Sequence, residues 1–503
     1  MKILTAQQIR KADQFTIENE PVPSILLMER ASMAFCEKFT QLYPDRTIPV
    51  HVICGKGNNG GDGLAIARLL HVQDRKVRVS IVEHRDNGSC DFSINLKKLP
   101  AKIPICTVHT AEDLITNEGE ILVDAILGSG LNSPLRGLLQ KLVQALNTLN
   151  NPKTAVDIPT GLFADASTSG TALECMHTIA FELPKLSFFF PENEKHLGRW
   201  HIVPIGLSHP FINKQDTCFR FLNKKKASAL LKKRETFSHK GTFGHALLIA
   251  GSQNMTGACL LAAKACLRSG TGLLTCCTSG HSQPVMQSAV PEAMTLGDPE
   301  KEHISRIPPL AGFQAIGIGC GIGKSQATRQ ALHKVLKTAG MPLVIDADAL
   351  NIISEQPEWL SLVPPKSILT PHPKEFERLT GSWKGDEERI NKQRQLAQEH
   401  QLTVLVKGAF SSIALPNGNV YFNSTGNPGM ATGGSGDVLA GILTGLLAQG
   451  YEPENACLLG VYLHGLSGDL AKKEKGEEGL IAGDLTDYLP KAFQALKKQS
   501  PLC

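Results

Sequence analysis

Short apolar segments alternate with amphipathic segments along the first part of the chain, and this alternation predicts strands followed by helices. Predicted strands cover residues 50–53, 77–82, 121–123 and 154–156, and predicted helices cover 64–70 and 138–149. Strands in such an order are typical of a mostly parallel sheet, which binds ligands at the carboxyl ends of its strands. The first region is therefore predicted to be an α/β domain with a site at that edge.

The alternation of strand-like and helix-like segments begins again after a polar, lysine-rich segment at residues 210–237. We interpret this segment as an interdomain linker with a boundary near residue 220. Strands are predicted at residues 246–250, 315–318, 343–345, 367–369 and 403–406, and a helix at 258–268. A glycine, aspartate or histidine follows each of these strands. The chain is thus predicted to contain two α/β domains.

Composition is consistent with an enzyme of two or more domains. The chain has 503 residues, 42% apolar and 20% charged, and no apolar run approaches the ~20 residues that span a bilayer. Charge appears within the first ten residues, so we predict no secretory signal, a cytosolic location and no membrane partner. A net charge of +5 is only weak evidence for nucleic-acid binding, and a content of 5% aromatic residues argues against base-stacking surfaces. We therefore predict no nucleic-acid partner.

Neither the cysteines nor the two basic runs indicate a further functional site. The 13 cysteines are an odd number without a CxxC pair, so we interpret them as reduced and mostly buried thiols. The basic runs at residues 224–226 and 232–234 flank the predicted linker, and a solvated face explains them better than a nucleic-acid site.

The most informative motif occupies residues 427–437, where four glycines and Asp437 precede an apolar, helix-like run. Free backbone amides at the start of a helix bind anions, and a carboxylate beside them can accept the proton of an attacking hydroxyl. These are the two requirements of phosphoryl transfer. The alternative is a flexible loop, but such a loop seldom ends in Gly-Asp against a helix.

The first region carries a second glycine-rich motif, Asn-Asn-Gly-Gly-Asp-Gly at residues 58–63, within a predicted loop at residues 55–63 between a predicted strand and a predicted helix. It lacks the spacing of a GxGxxG fingerprint and the ending of a P-loop. Asp124 and Asp157 each end a later strand. Asp124, with Asn59 and the region of Thr160, supplies only oxygen ligands, which suit a hard monovalent or divalent cation. Helix capping is the alternative role for each aspartate alone.

These loops resemble the NAD(P)H-hydrate epimerase domain over most of residues 1–215. The resemblance implies a Rossmann-like domain that interconverts the R and S forms of hydrated NADH and NADPH (NADHX and NADPHX). It implies Asp157 as the acid/base candidate, which also contacts the substrate, and a potassium ion bound by Asn59, Asp124 and Thr160. Thr160 stands where many family members have serine. The implied substrate-binding residues are Asn58, Asn59, Gly60, Gly61, Asp62, Gly128, Ser129, Gly130, Leu131, Asn132, Ser133, Pro134 and Asp157.

Six strand-end loops of the second region, together with residues 427–437, imply one cleft along the edge of a single sheet. They lie at residues 239–245, 251–258, 319–323, 344–351, 370–375 and 406–408. This combination resembles the ADP- or ATP-dependent NAD(P)H-hydrate dehydratases, members of the ribokinase-like superfamily, over nearly all of residues 225–500. We accordingly assign residues 225–503 to a ribokinase-like α/β domain. One departure from the family pattern is Cys320, where proline is frequent.

The resemblance implies that Asp437 is the catalytic base of the dehydratase and that ADP is the phosphoryl donor, released as AMP. The residues implied around the hydrated nicotinamide are Ala258, Gly321, His372 and Asp437, and those implied for the nucleotide are Lys407, Gly408, Ala409, Phe410, Ser411 and Gly436. Magnesium is expected with the nucleotide phosphates, with Asp346 and Asp348 orienting the ion or its waters.

The leading hypothesis is therefore a bifunctional repair enzyme, an isomerase joined to a lyase, that restores NAD(P)H from its hydrates. We also expect a homo-oligomer. Two alternatives stay open on the sequence alone. The second region could be an ATP-dependent kinase for a vitamin or sugar hydroxyl, and the first could be a nucleotide-binding module without catalysis. The expectation of ADP over ATP rests on the resemblance alone.

Overall fold

A computed structural model describes residues 1–20 and 22–497. The last six residues of the predicted second domain, including Cys503, lie outside this range. The chain divides into two compact units. The first comprises Lys2–Thr217 with Gly385–Glu387, and the second comprises Cys218–Lys384, Met1 and the chain from Glu388 onward.

The first unit is an α/β structure around a seven-stranded parallel sheet. Its strands lie in the order β3-β2-β1-β4-β5-β6-β7. The strands are β1 (Val50–Cys54), β2 (Val77–Val82), β3 (Ile105–Val108), β4 (Ile121–Ala125), β5 (Lys153–Val156), β6 (His177–Phe181) and β7 (Arg199–Val203). The helices are α1 (Ala6–Asn19), α2 (Ser24–Leu42), α3 (Asn58–Val72), α4 (Cys90–Lys98), α5 (Gly137–Asn147), α6 (Glu194–Leu197) and α7 (His209–Lys214).

Strand order in this sheet reverses between β1 and β4. In open α/β sheets the crevice at such a switch point is the usual ligand site. Both strands are wholly buried, as their apolar sequences require when helices cover the two faces of a parallel sheet. The glycine-rich motif after β1 and Asp124 near the end of β4 therefore meet at this crevice.

The second unit contains a ten-stranded sheet in the order β11-β10-β9-β12-β13-β14-β15-β16-β17-β8. Its strands are β8 (Phe219–Leu222), β9 (His245–Ile249), β10 (Leu273–Thr278), β11 (Met294–Gly297), β12 (Ala315–Ile318), β13 (Leu343–Ile345), β14 (Ile368–Leu369), β15 (Thr403–Val406), β16 (Ser412–Ala414) and β17 (Val420–Asn423). The pairs from β11 to β15 are parallel, β16 is antiparallel to both neighbours, and β8 is parallel to β17.

Ten helices accompany this sheet in the described part of the second half. They are α8 (Lys224–Ser228), α9 (Thr256–Arg268), α10 (Gln283–Ala289), α11 (Gln326–Thr338), α12 (Ala347–Ser354), α13 (Pro373–Thr380), α14 (Asp386–Glu399), α15 (Ser435–Ala448), α16 (Pro453–Lys475) and α17 (Ala482–Lys497). A large apolar core is built from α9, α15, α16 and α17 together with the central strands.

The predicted strands are confirmed to within two residues at their ends, and so is the α/β class of both halves. Two local predictions were wrong. Residues 58–63 form the first turns of α3 and not a loop. Glycine is favoured in this part of the helix because the helix start packs closely against neighbouring backbone. The segment 210–237 is not a plain linker, since it contains β8, α8 and part of α7.

No helix within the described residues is long and apolar enough to cross a bilayer. The twelve cysteines of that part are all free thiols, and most of them are buried. Burial raises the pKa of several, among them Cys36 to about 12, so these thiols stay protonated and pack as small apolar side chains.

Helices α15 and α9 pack with their backbones unusually close. A Cβ atom on Gly441 would lie 2.1 Å from the Ala262 carbonyl oxygen, and one on Gly445 would lie 2.1 Å from Ser269 Oγ. Two glycines four residues apart stand on the same helix face. Their missing side chains let α15 approach α9, so the start of α15 is held in place by packing along its length.

We expect Gly441→Ala to destabilise the protein by about 1–3 kcal/mol or more, since the added methyl group meets backbone atoms that cannot move aside. Gly257→Ala in α9 is the matched control, because nothing lies within 4 Å of a Cβ there. Urea unfolding followed by circular dichroism measures both. Equal stability of the two variants would contradict the packing argument.

Candidate active sites

The first candidate site begins where β1 leads into α3. Gly57 is the N-cap residue of this helix and has no side chain that could accept from the free amides. The Gly61 amide donates an early helical hydrogen bond to the Gly57 carbonyl at 3.0 Å. The amides of Asn58, Asn59 and Gly60 thus precede the helical hydrogen bonds. A helix start of this kind attracts phosphate through its free amides and its dipole.

Gly60 is required by the close approach of two backbone segments. A Cβ at this position would lie 1.6 Å from the carbonyl oxygen of Gly55, so any side chain would push the first turn of α3 away from the end of β1. The glycine keeps the helix start directly at the sheet edge.

A cavity of about 530 Å³ opens at this edge within the first unit. Of the residues predicted to bind substrate, those that line it are Asn58, Asn59, Asp62, Gly128, Ser129, Gly130, Leu131 and Asp157. Gly60, Gly61, Asn132, Ser133 and Pro134 do not line it. The cavity also exposes side chains that the sequence motifs did not indicate, namely Arg10, Asp13, His84 and Arg85.

The three predicted potassium ligands are buried at the ends of neighbouring strands. Asp124 accepts hydrogen bonds from the Thr160 amide and hydroxyl, both at 2.7 Å. The Asn59 amide nitrogen donates to the Val156 carbonyl at 2.9 Å, while its Oδ1 is buried with no partner among the described residues. Burial raises the pKa of Asp124 to about 6.

This oxygen set fits a monovalent cation. An orphaned buried amide oxygen is costly unless a ligand satisfies it, and a cation beside Asp124 would also offset the burial of that carboxylate. Carboxylate, amide and hydroxyl oxygens are the ligands that hard cations prefer.

Asp157 is held in a strained conformation directly after β5. Its φ angle of 69° lies in the left-handed region, which costs energy for a residue with a side chain. Its carboxylate accepts a hydrogen bond from the Phe181 amide at 3.0 Å and forms an ion pair with Lys185, whose side chain is 1% exposed. Lys185 was missed by the sequence reasoning because it follows β6 outside any glycine-rich motif.

Two further carboxylates of the cavity have raised pKa values. Burial, followed by repulsion from Asp157, raises the pKa of Asp13 to about 7. The same two causes raise the pKa of Asp62 well above its ordinary range. Several carboxylates that share one site cannot all ionise, so this cavity holds proton donors beside a proton acceptor.

The second candidate site is organised by the start of α15. Gly434 caps the helix in the left-handed conformation, and His464 anchors the first residue by a 3.0 Å hydrogen bond between its Nε2 and the Ser435 carbonyl. Burial lowers the pKa of His464 to about 4, so this ring is neutral and its Nε2 is assigned as the donor. Gly436 and Asp437 follow in the first helical turn, as the motif predicted.

Burial raises the pKa of Asp437 to about 6. The Cys320 thiol counters this shift, whereas the nearby Asp346 adds to it. The carboxyl group is therefore mostly ionised at neutral pH, and its pKa is close enough to 7 for the group to hold a proton briefly. That balance suits a general base.

Beside Gly436, the half-buried Lys407 forms an ion pair with the buried carboxylate of Asp346. The Lys407 ammonium donates to Asp346 at 2.5 Å, and a Cβ on Gly436 would lie 3.2 Å from the same ammonium. Burial alone would lower the pKa of Lys407, but the Asp346 carboxylate outweighs it and raises the pKa. A permanent cation thus stands at the helix start, where an anion would bind.

Gly321 lies close to α9, as its predicted role beside Ala258 requires. A Cβ on Gly321 would lie 3.1 Å from the Cβ of Ala258, and Gly321 has a φ angle of 59°. The neighbouring Gly323 amide donates to Asp348 at 2.9 Å. The loops after β12 and β13 are therefore tied together at the strand ends.

His372 has a structural task in addition to any ligand it binds. Its Nδ1 accepts from the amides of Lys374 at 3.0 Å and Glu375 at 3.3 Å, which caps α13. Its Nε2 lies 3.4 Å from the Glu375 carboxylate, and the side chain is 44% exposed. The sequence motif located this histidine at a strand end but did not indicate its capping role.

The remaining predicted nucleotide residues lie in the turn between β15 and β16. Ser411 Oγ accepts from the Gly408 amide at 3.2 Å, which closes the turn, and Gly408 and Ala409 are exposed. The turn begins at Lys407, whose ion pair with Asp346 joins it to the end of β13, and the Lys407 ammonium lies close to Gly436 at the start of α15.

Comparison with known proteins gives a consistent result for both halves. A family model described as NAD(P)H-hydrate dehydratase matches residues 246–491, and one described as YjeF-related protein N-terminus matches residues 24–187. A bifunctional NAD(P)H-hydrate repair enzyme from Moorella thermoacetica is 34% identical over 518 residues, covering 99% of this chain and 98% of the relative.

Two solved structures resemble the second half. A ribokinase-like superfamily protein from Enterococcus faecalis is 30% identical with a TM-score of 0.51, covering 56% of this chain and 98% of that chain. An ADP/ATP-dependent NAD(P)H-hydrate dehydratase from Bacillus subtilis, co-crystallised with ATP/Mg²⁺, is 35% identical with a TM-score of 0.49, covering 55% and 98%. The first likeness agrees with the predicted ribokinase-like fold.

We expect Thr160→Val to lower the free energy of unfolding by about 1–3 kcal/mol, since the buried Asp124 carboxylate loses a hydroxyl donor. Thr160→Ser keeps that donor and is the control. Chemical denaturation of both variants at neutral pH gives the comparison. Because valine keeps the Cγ2 methyl of threonine and lacks only the hydroxyl, a valine variant as stable as the wild-type protein would contradict the argument.

Proposed function

The chain belongs to the family of bifunctional NAD(P)H-hydrate repair enzymes, and from this premise we propose that residues 1–215 catalyse epimerisation and residues 225–503 catalyse dehydration. The observation that carries the proposal is the presence of two strand-end sites in one chain. Asp157 is poised as a proton acceptor in the first, and Asp437 lies beside an anion-binding helix start in the second.

In the proposed epimerase site, the hydroxyl on the hydrated nicotinamide ring leaves and returns. The ring nitrogen supplies the electron pair that expels the oxygen as water, and Asp157 exchanges protons with the oxygen that leaves or arrives. Lys185 holds the Asp157 carboxylate in place. The amides at the start of α3 bind the phosphates of the dinucleotide.

We propose that Asn59, Asp124 and Thr160 bind potassium. The orphaned Asn59 Oδ1 is the observation that supports this. When bound, the cation supplies fixed positive charge at the sheet edge, which stabilises the loops that hold the substrate.

In the proposed dehydratase site, Asp437 accepts the proton of the ring hydroxyl as its oxygen attacks the terminal phosphorus of ADP. The new O–P bond forms while the bond to AMP breaks, and the amides at the start of α15 stabilise the developing charge. The ring nitrogen then expels phosphate and the adjacent carbon loses a proton, which restores NAD(P)H. Phosphorylation is needed because hydroxide alone is a poor leaving group.

Lys407 is proposed to bind the transferred phosphoryl group, with residues 408–411 beside the nucleotide. Asp346 and Asp348 fit a magnesium site, since magnesium is commonly bound by one or two carboxylates together with substrate phosphates. The ion would neutralise phosphate charge when bound. Ala258, Gly321 and His372 are proposed around the hydrated ring.

A vitamin or sugar kinase is not favoured, because the relative that matches nearly the full length of the chain is a bifunctional hydrate repair enzyme. A non-catalytic first half is disfavoured for the same reason. A cytosolic location, a homo-oligomer and the preference for ADP stay predictions.

The coupled repair assay tests this assignment. Wild-type protein with mixed NADHX epimers and ADP should convert both epimers to NADH and release one AMP and one phosphate for each. Asp437→Asn should lower dehydration by about 10²–10⁴-fold while epimerisation continues, since only the base of one site is lost. Asp157→Asn should do the reverse, consuming the S form at the normal rate and leaving R.

Each of these variants is the control for the other, because a general folding defect would lower both activities together. ATP is run beside ADP to decide the donor. Accumulation of a phosphorylated vitamin or sugar without recovery of NADH absorbance would overturn the dehydratase assignment and support the kinase.

The dehydration rate should depend on the ionisation of Asp437. Because its pKa is raised to about 6, the base is ionised above that pH and protonated below it. We expect kcat/KM to be flat above pH 7 and to fall tenfold per unit below about 6, measured at saturating ADP. Thermal melts across the same range check that the protein stays folded, and a flat profile down to pH 5 would exclude Asp437 as the base.

A further inference from the structure

Three carboxylates reach the cavity of the first unit from three different elements. Asp13 lies on α1, Asp62 on α3, and Asp157 directly after β5. Only Asp157 has hydrogen-bond donors, Lys185 and the Phe181 amide, among the described residues. The other two carboxyl groups are left to face the cavity and whatever it binds.

Inversion at the hydrated carbon requires proton transfer on both faces of the ring. When the hydroxyl leaves as water, the carbon becomes planar, and a water molecule must then add from the opposite face to give the other epimer. A single carboxylate on one face would return the oxygen to the face that it left. An efficient epimerase therefore needs one proton donor and one acceptor on opposite sides of the substrate.

We propose that Asp13 is the second acid/base residue of the epimerase site and acts on the face of the ring opposite Asp157. This inference rests on the epimerase function proposed above and extends it to a residue of α1, outside every glycine-rich motif. Asp13 lies on α1, whereas Asp157 follows β5, so the two carboxyl groups enter the cavity from separate elements.

The surroundings of Asp13 suit this role. Asp157 and Glu182 repel its charge, while Lys185 and Arg10 attract it, and the net result with burial is a pKa of about 7. A group that titrates near neutrality can both give and take a proton during turnover. Burial raises the pKa of Asp62 well above its ordinary range, which favours the protonated form that can donate a hydrogen bond to the substrate.

The proposed steps balance. Protonated Asp13 gives its proton to the ring hydroxyl, the C–O bond breaks, and the nitrogen lone pair forms a C=N bond as water leaves. A second water adds from the Asp157 side, its oxygen forms the new C–O bond, its proton passes to Asp157, and the electron pair returns to nitrogen. The reverse direction starts from ionised Asp13 and protonated Asp157, and solvent returns the proton between turnovers.

The test follows oxygen exchange and inversion separately in H₂¹⁸O with each purified epimer of NADHX, corrected for the reaction without enzyme. Wild-type protein should give epimerised product that carries solvent oxygen. Asp13→Asn should slow inversion in both directions by about 10²-fold or more. It should still exchange oxygen with retention in one epimer, through Asp157, and Asp157→Asn should do so only in the other epimer.

Asp165→Asn is the matched control. Asp165 also contacts α1, accepting from the Ala6 amide at 2.9 Å, but it does not line the cavity, so inversion should be unchanged. Asp13→Glu should restore part of the rate by keeping the carboxyl group.

The outcomes distinguish failure of the epimerase function from failure of the role proposed for Asp13. Failure of wild-type protein to interconvert the epimers would overturn the epimerase function itself. With an active wild type, unchanged inversion in Asp13→Asn, or equal loss of exchange from both epimers, would overturn the proposal and assign Asp13 a structural role.

Discussion

Both sites depend on carboxylates that are buried or half-buried at the sheet edge where the parallel strands end. Burial disfavours the charged form, so each carboxylate is either paired, as Asp346 is with Lys407, or poised near neutrality, as Asp437 is at a pKa of about 6. Parallel strands bring these groups to one edge because all their carboxyl ends point the same way. The chemistry follows from this constraint, since a proton acceptor beside a proton donor or an anion-binding helix start is what each reaction needs.

Glycines control how closely helices approach these carboxylates. Gly60 lets the start of α3 rest against the Gly55 carbonyl, and Gly441 lets α15 lie against α9. In both cases a helix start is set at the sheet edge by backbone contact and not by a flexible loop. The amides proposed to bind phosphate are consequently fixed before the substrate arrives, which reduces the cost of ordering them on binding.

Much of the fold could be predicted because its strands are short, apolar and separated by clear turn signals. Strands such as β12 and β15 were predicted to the residue. The segment 58–63 was wrongly predicted as a loop, since helix propensity counts all six of its asparagine, glycine and aspartate residues against a helix and ignores the tertiary packing that stabilises it. The edge strand β8 was missed for a related reason, because a strand among lysines is recognised only by its pairing with β17.

The sequence alone determined the two α/β halves, their family resemblance, and the identities of Asp157 and Asp437 as candidate acid/base residues. The two halves and the motif around Asp437 follow from local periodicity and glycine spacing, whereas the role of Asp157 is implied by the family resemblance. Only the tertiary structure decided which side chains accompany them: Lys185 beside Asp157, Lys407 beside Asp346, and Asp13 in the first cavity. Such partners are distant along the chain, and their pKa values arise from burial and neighbouring charge, which exist only once the sheet has brought the strand ends together.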